Sequence, residues 1–267
     1  MGTKWLYWFE ELSSEDNNLV GKKCANLGEM TRLGMRIPPG FAISIEGYER
    51  FMAETGAGEE IRRYVQEHHD HLKEVQAQIK ASQAIRNIIE SKEMPSDMRD
   101  ELFGFYEQLK ERAGAEELSV AVRSSGAVSM PGQMESYLNV RWKESVVQKV
   151  IQVWGSAFTT RAIAFRLEKG MAMDKAPIGI AVLKMVEAKS AGVVLTVLPT
   201  IGDMSKVVVE GNWGLGESVV SGEINPDQFI VDKDSGLVES TINRKTKMVI
   251  YQASGTITAD IPEEIQT

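Results

Sequence analysis

The chain has 267 residues, 43% hydrophobic and 25% charged, with a net charge of −8, a globular profile long enough for one large core or two lobes. The negative balance and scattered lysines and arginines exclude a nonspecific nucleic-acid binder, which needs a basic field. No apolar run reaches the ~18 residues of a membrane span, no basic-then-apolar leader opens the chain, Leu6 stands where a myristoylation signal behind Gly2 wants Ser or Thr, and a single cysteine, Cys24, excludes an internal disulfide, so the expected location is the reducing cytoplasm.

Residues 4–9, KWLYWF, read as a short strand or an apolar anchor. Residues 21–34, GKKCANLGEMTRLG, read as a helix opened by Gly21 and ended by Gly34, with Leu27, Met30 and Leu33 on one face. IPPGFAIS is a turn into a strand. Residues 46–113 are helical in character, with breaks near residues 56–58 and at MPSD, where Ser96 or Asp97 supplies an N-cap. SVAVRS and YLNVRW read as strands. Residues 144–169 read as one long amphipathic helix, its stripe made by Val146, Val147, Val150, Ile151, Trp154 and Phe158, and Gly170 stops it. After Pro177 the chain turns strand-rich: IGIAVLKMV, AGVVLTVL, KVVVEGNW, DQFIVDK, LVESTINR and KMVIYQ. A boundary is expected near residues 185–190, and a cleft at such a junction is a natural ligand site.

Three stretches carry chemistry. In VGKKCANLGEM a glycine and two lysines precede a helix, where backbone N–H groups and a point charge favour an anion; the Walker A spacing is absent, and a plain surface lysine is the competing reading. In VAVRSSGAVSMPG, Val120 and Val122 face one side of a strand and Ala121 and Arg123 the other. The planar fork of Arg123 suits phosphate, and the hydroxyls and flexible backbone behind it suit closure over one. The competing reading is an arginine paired with a carboxylate. In EGNWGLGESVVSGEINPDQF, glycines crowd Trp213 and Glu217 follows; close ligand approach or a turn array both explain them. His68, His69, Asp70 and His71 lack H-x-x-x-H spacing and read as a solvated helix face. Cys24 has no histidine partner for catalysis, and the methionines read as core filler.

Taken together and in order, GKKCANLGEM, IPPGF, AVRSSGAVSMPGQMESYLNV, FTTRAIAFR, IAVLKMV, AGVVLT and NWGLGESVVSGEINPDQF closely resemble the nucleotide-binding domain of the phosphoenolpyruvate synthase and pyruvate phosphate dikinase family, over nearly the whole chain. The resemblance implies an α+β protein of the ATP-grasp fold, with two mixed α/β lobes around an ATP cleft. The first lobe spans residues 1–186, with a helical insertion at about 46–113; the second spans residues 187–267, with its C-terminal part absent. It implies an ATP-dependent phosphotransferase that splits ATP to AMP and phosphate. The β-phosphate passes to a histidine on another domain or subunit, then to an acceptor such as pyruvate. Phenol or another hydroxyl acceptor, and a non-catalytic nucleotide-binding module, are the alternatives. The isolated chain is expected to be inactive. The implied partners are the phosphohistidine domain and the acceptor-binding domain, with no nucleic acid and no membrane.

Carried over by position, Lys23 matches the lysine of the family's Gly-Gly-Lys and Arg123 the arginine of its Val-Arg-Ser-Ser strand; both are implied to act on the ATP phosphates. Lys22 stands where the second glycine usually sits, which leaves both lysines as candidates. Lys184, Met185 and Val186 match the hinge whose backbone bonds the adenine edge. Glu217 matches the glutamate of Gly-Leu-Gly-Glu, implied to hold ribose or order its loop, and Arg161 the arginine of Arg-Ala, near the phosphates or structural. SMPGQMES is similar to the SMPGMMDT loop of the dikinases and, with Arg123, is expected to clamp the transferring phosphates. Magnesium is implied with ATP, its ligands expected on an acidic strand beyond residue 267, before a Gln-x-Arg-Pro segment.

Overall fold

Alternate residues of the first strand bury to different depths: Leu6 and Trp8 are buried and Tyr7 between them only partly, the mark of a strand whose two faces meet different layers. The structure, a computed structural model, describes residues 4–127 and 134–267, and the chain divides into two units, Met1–Met185 and Val186–Thr267.

The first unit is built on a five-stranded antiparallel sheet. Its strands are β1 (Leu6–Trp8), β2 (Gly40–Ile43), β3 (Ser119–Ser125), β4 (Ser136–Arg141) and β5 (Gly179–Lys184), in the order β1-β2-β5-β3-β4. Register sorts the side chains into two sets of rows. Trp8, Phe41, Val182, Val122 and Tyr137 share one row, and its buried members enter the main core. Tyr7, Ala42, Ala181, Arg123 and Ser136 share the next, on the opposite face because side chains alternate. There Ala42 and Ala181 pack with Val20, Cys24 and Ala25 of α1 (Asn17–Arg32) in a second, smaller core. Small residues at the centre of that face let the helix lie close to the sheet.

The helices on the main-core face are α2 (Ile45–Glu54), α3 (Ala57–His68), α4 (Val75–Glu90), α5 (Ser96–Arg112), α6 (Lys143–Ser156) and α7 (Thr160–Glu168). Each sends buried apolar residues into one cluster, among them Phe51, Ile61, Ile85, Leu102, Trp154 and Ile163. Two details differ from the sequence expectation. Pro95 rather than Ser96 or Asp97 occupies the N-cap of α5, and no side chain caps it. The helix expected over 144–169 is two helices: the Thr159 hydroxyl accepts the Ala162 N–H at 3.2 Å, starting a new helix while the apolar stripe runs on through Phe158 and Ile163. Hydroxyl capping satisfies an orphan N–H that continuation of α6 would have used. The histidines fall at the end of α3 and in a 3-10 turn at His69–His71, with the His68 ring stacked on Tyr64 at 4.2 Å.

In the second unit, β6 (Ser190–Leu195), β7 (Lys206–Trp213), β8 (Asp227–Asp232) and β9 (Val238–Thr241) form an antiparallel meander. The short α8 (Glu217–Val220) follows β7, and β10 (Lys247–Tyr251) pairs with β11 (Thr256–Asp260) in a hairpin. A parallel bridge joins Gly214 to Val249. The strand β11 has no counterpart among the expected elements: its residues are exposed or half-exposed, so it carries no alternation for a sequence reading to find. The expected strand LVESTINR is shorter, ending at Thr241.

Candidate functional site

A kink inside α1 is set by a contact between backbones. Gly21 has φ 78° and ψ 160° inside the helical run, a conformation that glycine adopts without the Cβ penalty. A Cβ on Gly21 would lie 1.9 Å from the Ser125 carbonyl oxygen, and one on Gly179 would lie 2.3 Å from that of Val20. Residues 20–24 therefore cross directly over β3 and β5. Three bonds fasten the crossing: Lys22 N–H to the Gly126 carbonyl at 3.0 Å, Cys24 N–H to Ser125 Oγ at 3.0 Å, and Lys23 Nζ to the Ser124 carbonyl at 2.5 Å.

This geometry separates the two lysines. Lys22 is exposed, whereas Lys23 is half-buried beside β3. Burial, with the Arg123 guanidinium as second cause, lowers the Lys23 pKa to about 8. Arg123 itself is exposed at the end of β3. Among the described residues, neither Lys23 nor Arg123 forms an ion pair. Two cations within each other's field and without a carboxylate are an arrangement that an anion stabilises.

The serines do different work from that expected. Ser124 and Ser125 are buried; the Ser124 carbonyl holds Lys23 and the Ser125 hydroxyl holds the Cys24 amide, so these groups join helix to strand rather than wait for a ligand. Their partners lie 101 residues away, which no local motif reveals. The stretch 128–133, containing most of SMPGQMES, lies outside the described residues. The Cys24 thiol is buried and pushed up to about 12 by that burial, so it stays protonated and unreactive at neutral pH.

The other candidates have partners of their own. Lys184 N–H donates to the Pro39 carbonyl and Met185 N–H to that of Ser119, each at 2.9 Å; the Lys184 ammonium reaches the Ala113 carbonyl at 3.3 Å. The Val186 carbonyl accepts the Tyr251 hydroxyl at 2.7 Å. Two of the three hinge amides are thus already bonded within the first unit. Arg161 is exposed in the first turn of α7, a helix packed on the sheet face away from α1. In the second unit Glu217 is exposed at the start of α8 and accepts from Thr256 Oγ1 at 3.2 Å, and Trp213 Nε1 donates to the Ile265 carbonyl at 2.7 Å.

A mixed α/β chain that brings a lysine beside a strand-end arginine under a glycine turn has the build of an anion-binding domain. Over residues 17–267 it matches the family described as pyruvate phosphate dikinase, AMP/ATP-binding domain, and the chain belongs to that family. It is 37% identical over 275 residues to a probable phosphoenolpyruvate synthase of Methanothermobacter thermautotrophicus, covering 98% of this chain and 39% of the relative. It is 38% identical over 258 residues to the phosphoenolpyruvate synthase of Aeropyrum pernix (94% and 31%), and 34% identical over 303 residues to that of Pyrococcus furiosus (98% and 37%). The chain thus spans between 31% and 39% of these relatives' length. Among the described residues, no helix is long and apolar enough to cross a membrane.

Proposed function

We propose that this chain is the ATP-binding part of a dikinase-type phosphotransferase. The observation that carries the reading is the Lys23–Arg123 pair, two unneutralised cations set at the Gly21 turn. Lys23 takes the phosphates as a point charge held in place by the Ser124 carbonyl, and Arg123 takes two phosphate oxygens through its fork. Binding and orientation of this kind supply most of the catalysis of phosphoryl transfer, which asks little covalent chemistry of the protein. The hinge at Lys184, Met185 and Val186 is assigned to the base, with the Val186 amide as its donor, and Glu217 to the ribose. Arg161 is assigned a structural role. When ATP is bound, the β-phosphate goes to a histidine on another domain or subunit and then to an acceptor, leaving AMP and inorganic phosphate. The printed names of the relatives, phosphoenolpyruvate synthases, favour pyruvate over a phenolic acceptor.

Magnesium accompanies ATP in this reading and neutralises charge on the phosphates. Among the described residues, no three His, Cys, Asp or Glu side chains gather to hold a metal, so no ligand is assigned here and no step is derived through the ion. The test uses ATP labelled separately at the β- and γ-phosphates. The chain is combined with the segments of a phosphoenolpyruvate synthase that follow this domain, its histidine-bearing domain included. The expected outcome is β-label on the histidine, γ-label in inorganic phosphate, and AMP in solution. Nucleotide binding without any label transfer would leave a non-catalytic module instead.

A further inference from the structure

The most unusual group outside this site is a buried arginine. Arg166 of α7 is 3% exposed, and among the described residues no carboxylate pairs with it. One nitrogen, Nη2, donates to the Ala157 carbonyl at 2.6 Å, and the guanidinium lies 4.9 Å from the Phe158 ring centroid. Its Nη1 has no hydrogen-bond partner, and neither has Trp154 Nε1; the Tyr48 hydroxyl oxygen faces the Ala176 amide, which leaves its own proton unplaced. These three atoms belong to neighbouring side chains. The Tyr48 and Trp154 rings meet edge to face at 6.1 Å; the Tyr48 hydroxyl lies in the field of Arg166, and burial is the larger influence on it. Tyr48 is 4% exposed and Trp154 and Phe158 are 0% exposed.

Buried polar atoms are almost always partnered, and a buried charge without a counter-charge is more costly still. Arginine and the indole N–H are donors only, and the tyrosine hydroxyl brings one further proton. A water placed among them would accept two of these bonds and would then have its own two protons to place. A monatomic anion accepts from every side and cancels the charge. The geometry points to a buried halide site, chloride under ordinary conditions, bound by Arg166 Nη1 and the Tyr48 hydroxyl. It ties α2 and α7 together in the main core and is a structural anion site, separate from the Lys23–Arg123 pair on the opposite face of the sheet.

Two measurements on the 267-residue chain test this. Crystals grown in sodium bromide should show an anomalous peak within hydrogen-bonding distance of Arg166 Nη1 and Tyr48 Oη; a water there with no bromide signal would overturn the proposal. In solution, at constant ionic strength with chloride replacing gluconate, the melting temperature should climb with the logarithm of chloride concentration, as for a ligand of the folded state alone. Arg166→Met should flatten that dependence. If that variant does not fold, Tyr48→Phe removes one donor while leaving the charge, and should weaken the dependence. A flat wild-type response, even beside a bromide peak, would mark an adventitious ion only and overturn the site. An equal chloride response in wild type and Arg166→Met would place the effect elsewhere and do the same.

Discussion

Lys23 offers a prediction that needs no turnover. Its pKa in the free chain is about 8, against an ordinary 10.5, because burial first and Arg123 second disfavour its charge. An ATP phosphate against the ammonium reverses the second effect and outweighs the first, so binding should return the pKa to about 10.5 or above. The free chain is then about half protonated at Lys23 at pH 8 and about one-tenth at pH 9, while the complex stays almost fully protonated. ATP binding should therefore take up roughly 0.5 proton at pH 8, roughly 0.9 at pH 9, and almost none at pH 6.5. By the same linkage the Kd should weaken about tenfold between pH 6.5 and 9, or ~1.4 kcal/mol. The last phosphate proton of ATP, with a pKa of about 6, is lost well below pH 8, so it does not mask the signal above that pH. Calorimetry in two buffers of different ionisation enthalpy reads the uptake directly, with Lys23→Met as the control. No uptake at pH 9, or the same uptake in Lys23→Met, would refute the placement of Lys23 at the phosphates.

The same depressed pKa has a consequence for stability. A lysine whose folded pKa lies below its unfolded value opposes folding when charged; the penalty is complete below about pH 8 and fades as pH rises from 8 toward 10.5. Lys23→Met should thus stabilise the chain at pH 7 by about 1–2 kcal/mol, after allowing for the part of the side chain in water, and by less at pH 10, as read by urea denaturation. Arg123→Ala should weaken ATP binding by about 1.5–3 kcal/mol, whereas Arg141→Ala, which loses a surface contact to Glu117 at 3.3 Å, should change it little; equal calorimetric affinities would count against Arg123. Gly21→Ala faces both the positive φ and a backbone oxygen at 1.9 Å, and should cost ~3 kcal/mol of stability or shift the kink in α1 off the sheet, visible as lost protection of the Lys22 and Cys24 amides in hydrogen exchange.

What the sequence disclosed was whatever is written locally. The Gly-Lys-Lys turn, the arginine after three small or branched strand residues, and the alternation of Val120, Ala121 and Val122 each lie within a few residues, and each is placed by backbone geometry alone. The break between α6 and α7 was hidden because its signal, the Thr159 hydroxyl on the Ala162 amide, sits inside an unbroken apolar stripe. The strand β11 was hidden because it buries too little to leave a pattern. Ser125 looked like a ligand group because hydroxyls near a phosphate-type arginine invite that reading; its true partner, the Cys24 amide, is 101 residues away. Arg166 carries no local signal at all, because only tertiary packing buries it.

The way Lys23 is held bears on why the site is built as it is. A carboxylate would position the ammonium better, but it would also cancel the charge that a phosphate is to meet. The Ser124 carbonyl gives direction through a single hydrogen bond at 2.5 Å and leaves the formal charge intact. Arg123 stands one residue away on the same strand, in a row with Ala42 and Ala181, whose small side chains are what allow α1 to bring Lys23 so near. Gly21 and Gly179 complete the approach by leaving room for backbone where any Cβ would collide. The fold thus spends glycines and alanines, all poor contributors to a core, to hold two like charges together. The lowered lysine pKa carries the trace of that strain as its second cause, behind burial, and an anion relieves it. A charge pair that weakens the free domain and is relieved by the ligand makes binding and stability two readings of one interaction, so the affinity lost on Arg123→Ala should be accompanied by a Lys23 pKa that rises in the free chain.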